Sequence, residues 1–386
     1  MTDKFESIRP FNHKEAIVVR KEVFADKDFK KFLEYLNMGI TIDSLEQECT
    51  EFATQYDFQY AVTRKVLQFF SDQSTTHVEY KGLENISTDT PHLFIANHRD
   101  IIMDSAYLQL YFFYNQLNTS RIAIGDNLVS TPLLLNVALL NKMFLVKRSA
   151  SIREKLVNSK LLSEYIHHSL ATDHESVWIA QRNGRTKDGI DKTQQGLIKM
   201  LAYYNDEVDV VDALKKLRIT PLTISYEYEP CDNLKARELA LSEKEKYVKK
   251  EGEDFNSICT GIFCFKGRVK IVIGKPIIDE LDTIPANLRK NEKINRVCDM
   301  IDQQIYQNFQ LFPNHYIAYD FLENSDEFVE HYTPEQKKIF LEYIDKQSIV
   351  EDVPADKMKN YLLQIYANPV KTHFGKFLIK KEEKDW

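Results

Sequence analysis

Apolar and polar positions along the chain follow two periods, one helical and one of short extended runs. Residues 1–75 read as helical: Phe29, Phe32, Leu33 and Leu36 fall at i, i+3, i+4 and i+7, one face of a helix. The stretch 44–72 keeps that character with no Gly or Pro to stop it. From 76 to 280, runs suited to strands appear: HVEYKGL, HLFIAN, RIAIGD, KMFLVKR, SVWIAQ, RITPLTISYEY and VKIVIGKPI. Segments of helical spacing, such as SIREKLVNSKLLSEYIHHSL, separate several of them. Strands alternating with helices predict a mostly parallel sheet covered on both faces. ICTGIFCFKGRVKIVIG differs, because two β-rich runs around Lys266-Gly267 predict a hairpin near the sheet edge.

The region 281–386 returns to helix. Ile294, Val297, Ile301 and Ile305 repeat at helical intervals, and Thr333-Pro334-Glu335-Gln336 offers an N-cap, a first-turn proline and a capping-box glutamine. MKNYLLQIYANP predicts a helix that closes before Pro369. The charged segment 235–254 reads as an exposed helix or a mobile insertion. The expected fold class is α/β: a mostly parallel central sheet flanked by helices, with helical extensions at both ends. Its expected parts are an N-terminal helical region 1–75, an α/β domain 76–280 and a C-terminal helical region 281–386.

Composition narrows the classes of function. The 386 residues are 43% apolar and 12% aromatic, enough for a large core, and the net charge is −7. No strongly basic block or nucleic-acid-reading motif occurs, so no nucleic-acid partner is expected. The opening residues carry acids and no apolar h-region. The longest uncharged runs are about fifteen residues, short of the ~20 that a spanning helix needs. A soluble or peripherally attached chain is expected, cytoplasmic and at the inner face of a membrane. Five cysteines without CxxC spacing fit a reducing compartment, with Cys259 and Cys264 packing on the expected hairpin.

The candidate chemistry starts at PHLFIANHRDIIMDSAYLQL, residues 91–110, where an apolar run meets Asn97, His98, Arg99 and Asp100, with Asp104 four residues later. The carboxyl ends of strands are where α/β sheets place reactive groups. A histidine beside a carboxylate is a candidate general base, since the acid fixes its tautomer and stabilises the imidazolium. On a continuous helix, Asp104 would lie about 240° around from His98, so a turn must intervene. Asp104 is the favoured partner. Asp100 is the alternative, or else binds backbone amides at the start of a helix. His167, His168, Asp173 and His174 end a helical segment and read as exposed polar residues, so no metal site is expected. No G-x-S-x-G, P-loop, H-E-x-x-H or G-x-G-x-x-G motif is present.

Asn97-His98 followed by an acid resembles the first block of the glycerolipid acyltransferases, the glycerol-phosphate and lysophosphatidate acyltransferase superfamily. That block is a histidine, four residues and an aspartate; here five residues intervene, and Met103 takes the usual acidic place. RIAIGDNL and NKMFLVKR resemble the second block, with Phe144, Lys147 and Arg148. WIAQRNGRTKDG resembles the third, with Asn183 where an acid is usual, then Gly184, Arg185 and Thr186. ITPLTISYE resembles the fourth, with Pro221, and VKIVIGKPI resembles the strand that closes the domain.

The resemblance implies transfer of a fatty acyl group from acyl-CoA or acyl carrier protein to a hydroxyl of a lysophospholipid acceptor, or of glycerol 3-phosphate. His98 and Asp104 would be catalytic. Arg99, Lys147, Arg148, Asn183, Gly184, Arg185 and Thr186 would bind substrate, with no cofactor. Two other readings share the scaffold: an O-acyltransferase for a lyso-aminolipid, and a non-catalytic lipid-binding protein. SAYLQLYFFYNQL and STPLLLNVALLNKMF read as core helices, or as walls for an acyl chain or surfaces on lipid. HFGKFLIKKEEK, with Lys376, Lys380 and Lys381, reads as a charged tail able to meet anionic headgroups.

Overall fold

Leu93–Ala96 is buried on both faces, as a central strand must be when helices cover both sides of a sheet. The computed structural model describes residues 3–50, 55–148, 151–203, 208–243, 245 and 247–376. It opens with helices α1 (His13–Ala25), α2 (Lys27–Leu36), α3 (Ile42–Thr50), α4 (Gln55–Phe58) and, after a π-helical turn at Gln59–Thr63, α5 (Arg64–Ser74). Then come β1 (Thr75–Lys81), β2 (Leu93–Ala96), α6 (Met103–Tyr114), β3 (Arg121–Gly125), α7 (Pro132–Leu140), β4 (Met143–Val146), α8 (Ile152–Ala171) and β5 (Val177–Ala180). They are followed by α9 (Gln195–Ala202), α10 (Val210–Lys215), β6 (Ile219–Tyr226), α11 (Asp232–Ser242), α12 (Glu253–Phe263) and β7 (Gly267–Ile273). The remaining helices are α13 (Ile278–Leu281), α14 (Lys290–Asn308), α15 (Pro313–Glu323), α16 (Pro334–Gln347) and α17 (Ala355–His373).

The strand order is β1-β7-β6-β2-β5-β3-β4. From β6 to β4 every pair is parallel, while β7 runs antiparallel to β6 and parallel to β1. The α/β class with a mostly parallel sheet is borne out. Alternation along each strand divides the core. Leu93, Ile95, Val177 and Ile219 face α8, α9 and α14. Phe94, Ala96, Trp178, Leu222 and Ile224 face α5 and α6. The face predicted for Ile294, Val297, Ile301 and Ile305 packs into the first of these clusters, so α14 is a cover of the sheet itself.

Several expectations need correction. The stretch 258–265 is not a hairpin arm. Residues 258–263 belong to α12, whose buried Ser257 and Gly261 lie four residues apart on the packed side, and the antiparallel partner of β7 is β6. The expected long helix 44–72 is interrupted by the π turn, where buried Gln59 accepts from Thr119 Oγ1 at 2.7 Å; part of it, 51–54, lies outside the described residues. On α2, Phe29, Leu33 and Leu36 are buried but Phe32 is exposed at the margin.

The helix expected to stop before Pro369 runs through it. A proline there leaves the Ile365 carbonyl without its helical donor. The helix survives because Tyr366, Ala367 and Val370 are buried in the C-terminal cluster. Gly189, at φ +80°, passes so close that a Cβ would lie 2.2 Å from that carbonyl oxygen. Among the described residues, no helix is long and apolar enough to cross a membrane.

Candidate active site

The site forms where β2 ends between β5 and β6. Asn97 continues the ladder with its side chain: Oδ1 accepts from Ile224 N at 2.8 Å and Nδ2 donates to Ile224 O at 2.9 Å. An amide serves here because it offers a donor and an acceptor at once. The chain then turns through 98–102 into α6. Asp100 makes that start possible, since its Oδ1 accepts from Ile102 N at 2.9 Å and Met103 N at 2.7 Å. A carboxylate on the first free amides of a helix is a standard cap.

Asp104 sits in the first turn of α6 and is fully buried. Its Oδ2 accepts from His98 Nδ1 at 2.9 Å, Arg99 N at 2.6 Å and Asp100 N at 2.9 Å. Its Oδ1 accepts from the Tyr226 hydroxyl at 2.8 Å. The histidine's partner is therefore Asp104, and Asp100 takes the capping role. The loop absorbs the extra residue by wrapping its amides around one carboxylate oxygen. Burial, and after it the Asp104 and Asp100 carboxylates, push the Tyr226 hydroxyl far above the ordinary phenol range, so it stays a donor.

His98 keeps 14% of its side chain exposed. With Nδ1 committed to Asp104, Nε2 is the nitrogen left to accept a proton. The imidazole stands edge-on to Trp178, with centroids 6.2 Å apart. The third-block turn is tied to it directly, because Thr186 N donates to His98 O at 2.7 Å. Thr186 is itself buried, and its hydroxyl is used within the turn, donating to Ile190 O at 2.9 Å. It braces the loop and offers no hydroxyl to a ligand. Asn183 and Gly184 are exposed; Asn183 N donates to Gln194 Oε1 at 2.7 Å, and Gly184 adopts φ +78° with open space around it. Next to Thr186, Arg185 is buried, and its Nη1 has no hydrogen-bond partner.

Arg99 was expected at an acceptor phosphate. Instead it points inward and is buried. Nη2 and Nε donate to Asp191 Oδ2 at 2.7 and 3.2 Å, Nη1 donates to Glu229 Oε2 at 2.7 Å, and Nη2 also reaches Gly189 O at 3.1 Å. Phe309 lies 4.7 Å beneath the guanidinium. Lys235, in the segment expected to be exposed, is also buried; its Nζ donates to Glu229 Oε1 at 2.6 Å and Arg99 O at 2.7 Å. Two cations and two carboxylates thus neutralise one another. Burial opposes ionising Glu229, but Arg99 and Lys235 outweigh it and hold that carboxyl below its usual range.

Lys147 and Arg148 follow β4, three strands from β2 and so roughly 14 Å to the side at the usual strand spacing. The Arg148 guanidinium lies over Gly125 at the end of β3, where a Cβ would come within 3.0 Å of Nε. They share the sheet edge with His98 without adjoining it. Phe144 is a buried core residue of β4. Tyr226 lies within the run that resembles the fourth block without standing out there, and Asp191, Glu229 and Lys235 lie outside every motif. The only local hint was the run of acids and lysines after Gly184 and after β6. His168 pairs with Asp173 at 3.3 Å, and among the described residues no group of His, Cys, Asp and Glu could hold a metal ion.

Residues 77–224 match the family model described as Acyltransferase. No curated protein matches the chain. The matched segment starts in β1, ends in β6 and contains His98, Asp104, Lys147, Arg148 and the turn 183–186. Built around a histidine and aspartate in hydrogen bond at the end of its central strand, this chain carries an acyltransferase domain of the glycerolipid acyltransferase superfamily.

Proposed function

We propose that the protein moves a fatty acyl group from a thioester, acyl-CoA or acyl carrier protein, to a hydroxyl of a lysophospholipid of the 1-acylglycerol-3-phosphate type. Glycerol 3-phosphate is the smaller acceptor of the same chemistry. The observation that carries the reading is the His98 Nδ1–Asp104 Oδ2 hydrogen bond, 2.9 Å long, inside the acyltransferase domain.

His98 Nε2 takes the proton of the acceptor hydroxyl as its oxygen attacks the thioester carbonyl. Asp104 stabilises the imidazolium that forms. The tetrahedral intermediate then breaks its carbon–sulfur bond, and the proton passes from Nε2 to the leaving thiolate. No covalent acyl-enzyme is needed. Arg185, with an unpartnered buried Nη1, is the cation best placed for the acceptor phosphate, and Lys147 and Arg148 add positive charge along the same edge. The reaction belongs to phospholipid biosynthesis, carried out at the cytoplasmic face of a membrane to which the protein attaches peripherally.

A thioester-release assay with a panel of lysolipid acceptors tests the reading. Release should require a lysophospholipid and should disappear in His98→Ala without loss of the folded state. Acyl transfer by that variant at the parent rate would overturn the role of His98. A preference for a phosphate-free acceptor would transfer support to the aminolipid reading, which the substitution of an acid by Asn183 favours.

A further inference from the structure

The start of α8 is built unlike a helix that covers a sheet. Residues 151–157 are all exposed, and only from Leu162 onward does the helix bury Leu162, Tyr165 and Ile166 against the core. About two turns therefore project beyond the body of the protein. They carry three aliphatic side chains into solvent: Ile152 is 86% exposed, Leu156 59% and Val157 61%. Ile152 and Leu156 are four apart and stand one above the other on the helix. A capping box, with Ser151 Oγ accepting from Glu154 N at 3.2 Å, makes this end ordered helix.

Positive charge predominates beside Ile152 and Leu156, although Asp126 accepts from Arg148 N at 3.2 Å at the base of the segment. Lys147, Arg148, Arg153, Lys155 and Lys160 lie in or just before these turns against the single acid Glu154, which the capping box occupies. None of the five cations makes an ion pair among the described residues. The chain as a whole carries −7, so this is a local excess against the general charge. It follows β4 and stands at the sheet edge that holds His98. Leu134 in the first turn of α7 and Phe255 in the first turn of α12 are exposed on that edge too; Asp254 accepts there from Asn127 Nδ2 at 3.0 Å.

We propose that the projecting end of α8 is a foot that docks the protein on an anionic lipid surface, with Ile152 and Leu156 entering the acyl region and Arg153, Lys155 and Lys160 meeting headgroup phosphates. Aliphatic side chains beside cations match the two-part composition of such a surface. A protein partner fits less well: two aliphatic side chains at a helix end offer far less than the ~800 Å² per partner of a stable interface. The proposal rests on the acyl-transfer reading, which makes the acceptor a lipid; the foot would present the site edge to the layer that holds it.

The test uses the full chain and vesicles of phosphatidylcholine with and without phosphatidylglycerol. The parent should float with the anionic vesicles, and less so at high salt, because headgroup attraction is screened within a Debye length. Ile152→Asp with Leu156→Asp should lower vesicle affinity by roughly tenfold or more, since two aliphatic insertions are lost and two like charges are added. Its melting temperature and its transfer to a short-chain soluble acceptor should match the parent's, while transfer to a vesicle-borne acceptor falls.

Equal flotation of parent and variant, or no flotation of the parent, overturns the proposal. So does a parent that self-associates or binds acyl carrier protein through these residues and leaves vesicles alone. If flotation depends on α8 but neither protein transfers acyl groups to any acceptor, the foot stands and the acyl-transfer reading falls.

Discussion

Asp104 holds four donors on two oxygens, and each makes a different demand on a substitution. Asp104→Asn can keep its carbonyl oxygen toward His98 and turn its amide toward Tyr226, so the shape survives while the counter-charge to the imidazolium is lost. Acyl transfer should fall roughly a thousandfold or more, with little change in melting temperature. Asp100→Ala removes a helix cap, and should cost about 1 kcal/mol in denaturant unfolding with a far smaller loss of rate. If Asp100→Ala were the more damaging to turnover, the assignment of the two acids would be reversed. Tyr226→Phe strips one donor from a buried carboxylate oxygen, an expected cost of about 1–3 kcal/mol. Its kcat should drop by about tenfold, with KM held, because the fully buried tyrosine acts through Asp104.

Elements were legible where burial was local in origin. All seven strands were visible as short runs suited to strands; β2, β5 and β6 owe their burial to their own apolar composition, while β1 holds no fully buried residue. The fate of 258–265 was not visible. Its aromatic and β-branched residues suit strand or helix, and what decides is Gly261 meeting Asp100, a contact between segments far apart in sequence. A Cβ on Gly261 would lie 2.1 Å from Asp100 Oδ2. Gly261→Ala should therefore displace the carboxylate that caps α6 and lower both stability and turnover, whereas an alanine at exposed Gly196 should do neither.

The role of α14 was equally hidden. Asp302 reaches from it to the loop after Asp191, accepting from Thr193 N at 2.8 Å, and burial pushes its carboxyl up to about 7. The folded protein thus keeps this proton to about pH 7, while an unfolded aspartate releases it near pH 4. The associated stability is complete below about pH 4 and is lost as pH rises to 7. Unfolding of the parent and of Asp302→Asn should diverge across that window by at most about 4 kcal/mol. Parallel pH–stability curves would show that Asp302 is ionised throughout.

At the scale of the molecule, Arg99 joins what the sequence divides into regions. Its guanidinium meets Asp191 after β5, Glu229 after β6 and the ring of Phe309 beyond α14. Glu229 N in turn donates to Tyr366 Oη of α17 at 2.9 Å, and that hydroxyl donates to Asp232 at 2.7 Å. Nothing near Arg99 in the chain announces partners 92 and 130 residues away, which is why it read as a phosphate ligand. Arg99→Met should leave two carboxylates buried without their fork and cost about 3–5 kcal/mol, measured by denaturant unfolding. Arg99→Lys should recover only part, since an ammonium cannot span both acids.

A quieter long-range contact lies at the far rim of the sheet, where the outermost strand, β4, gives the amide of Leu145 to the carbonyl of Ile8 at 2.9 Å. Ile8 is buried among the same core residues as Phe144. The segment before α1 therefore acts as a selvedge. Without residues 3–12, that strand would offer a bare row of donors and acceptors to any neighbouring molecule. Such a shortened protein should stay folded when dilute and grow into multimers as its concentration rises, through a border that the intact chain keeps hemmed.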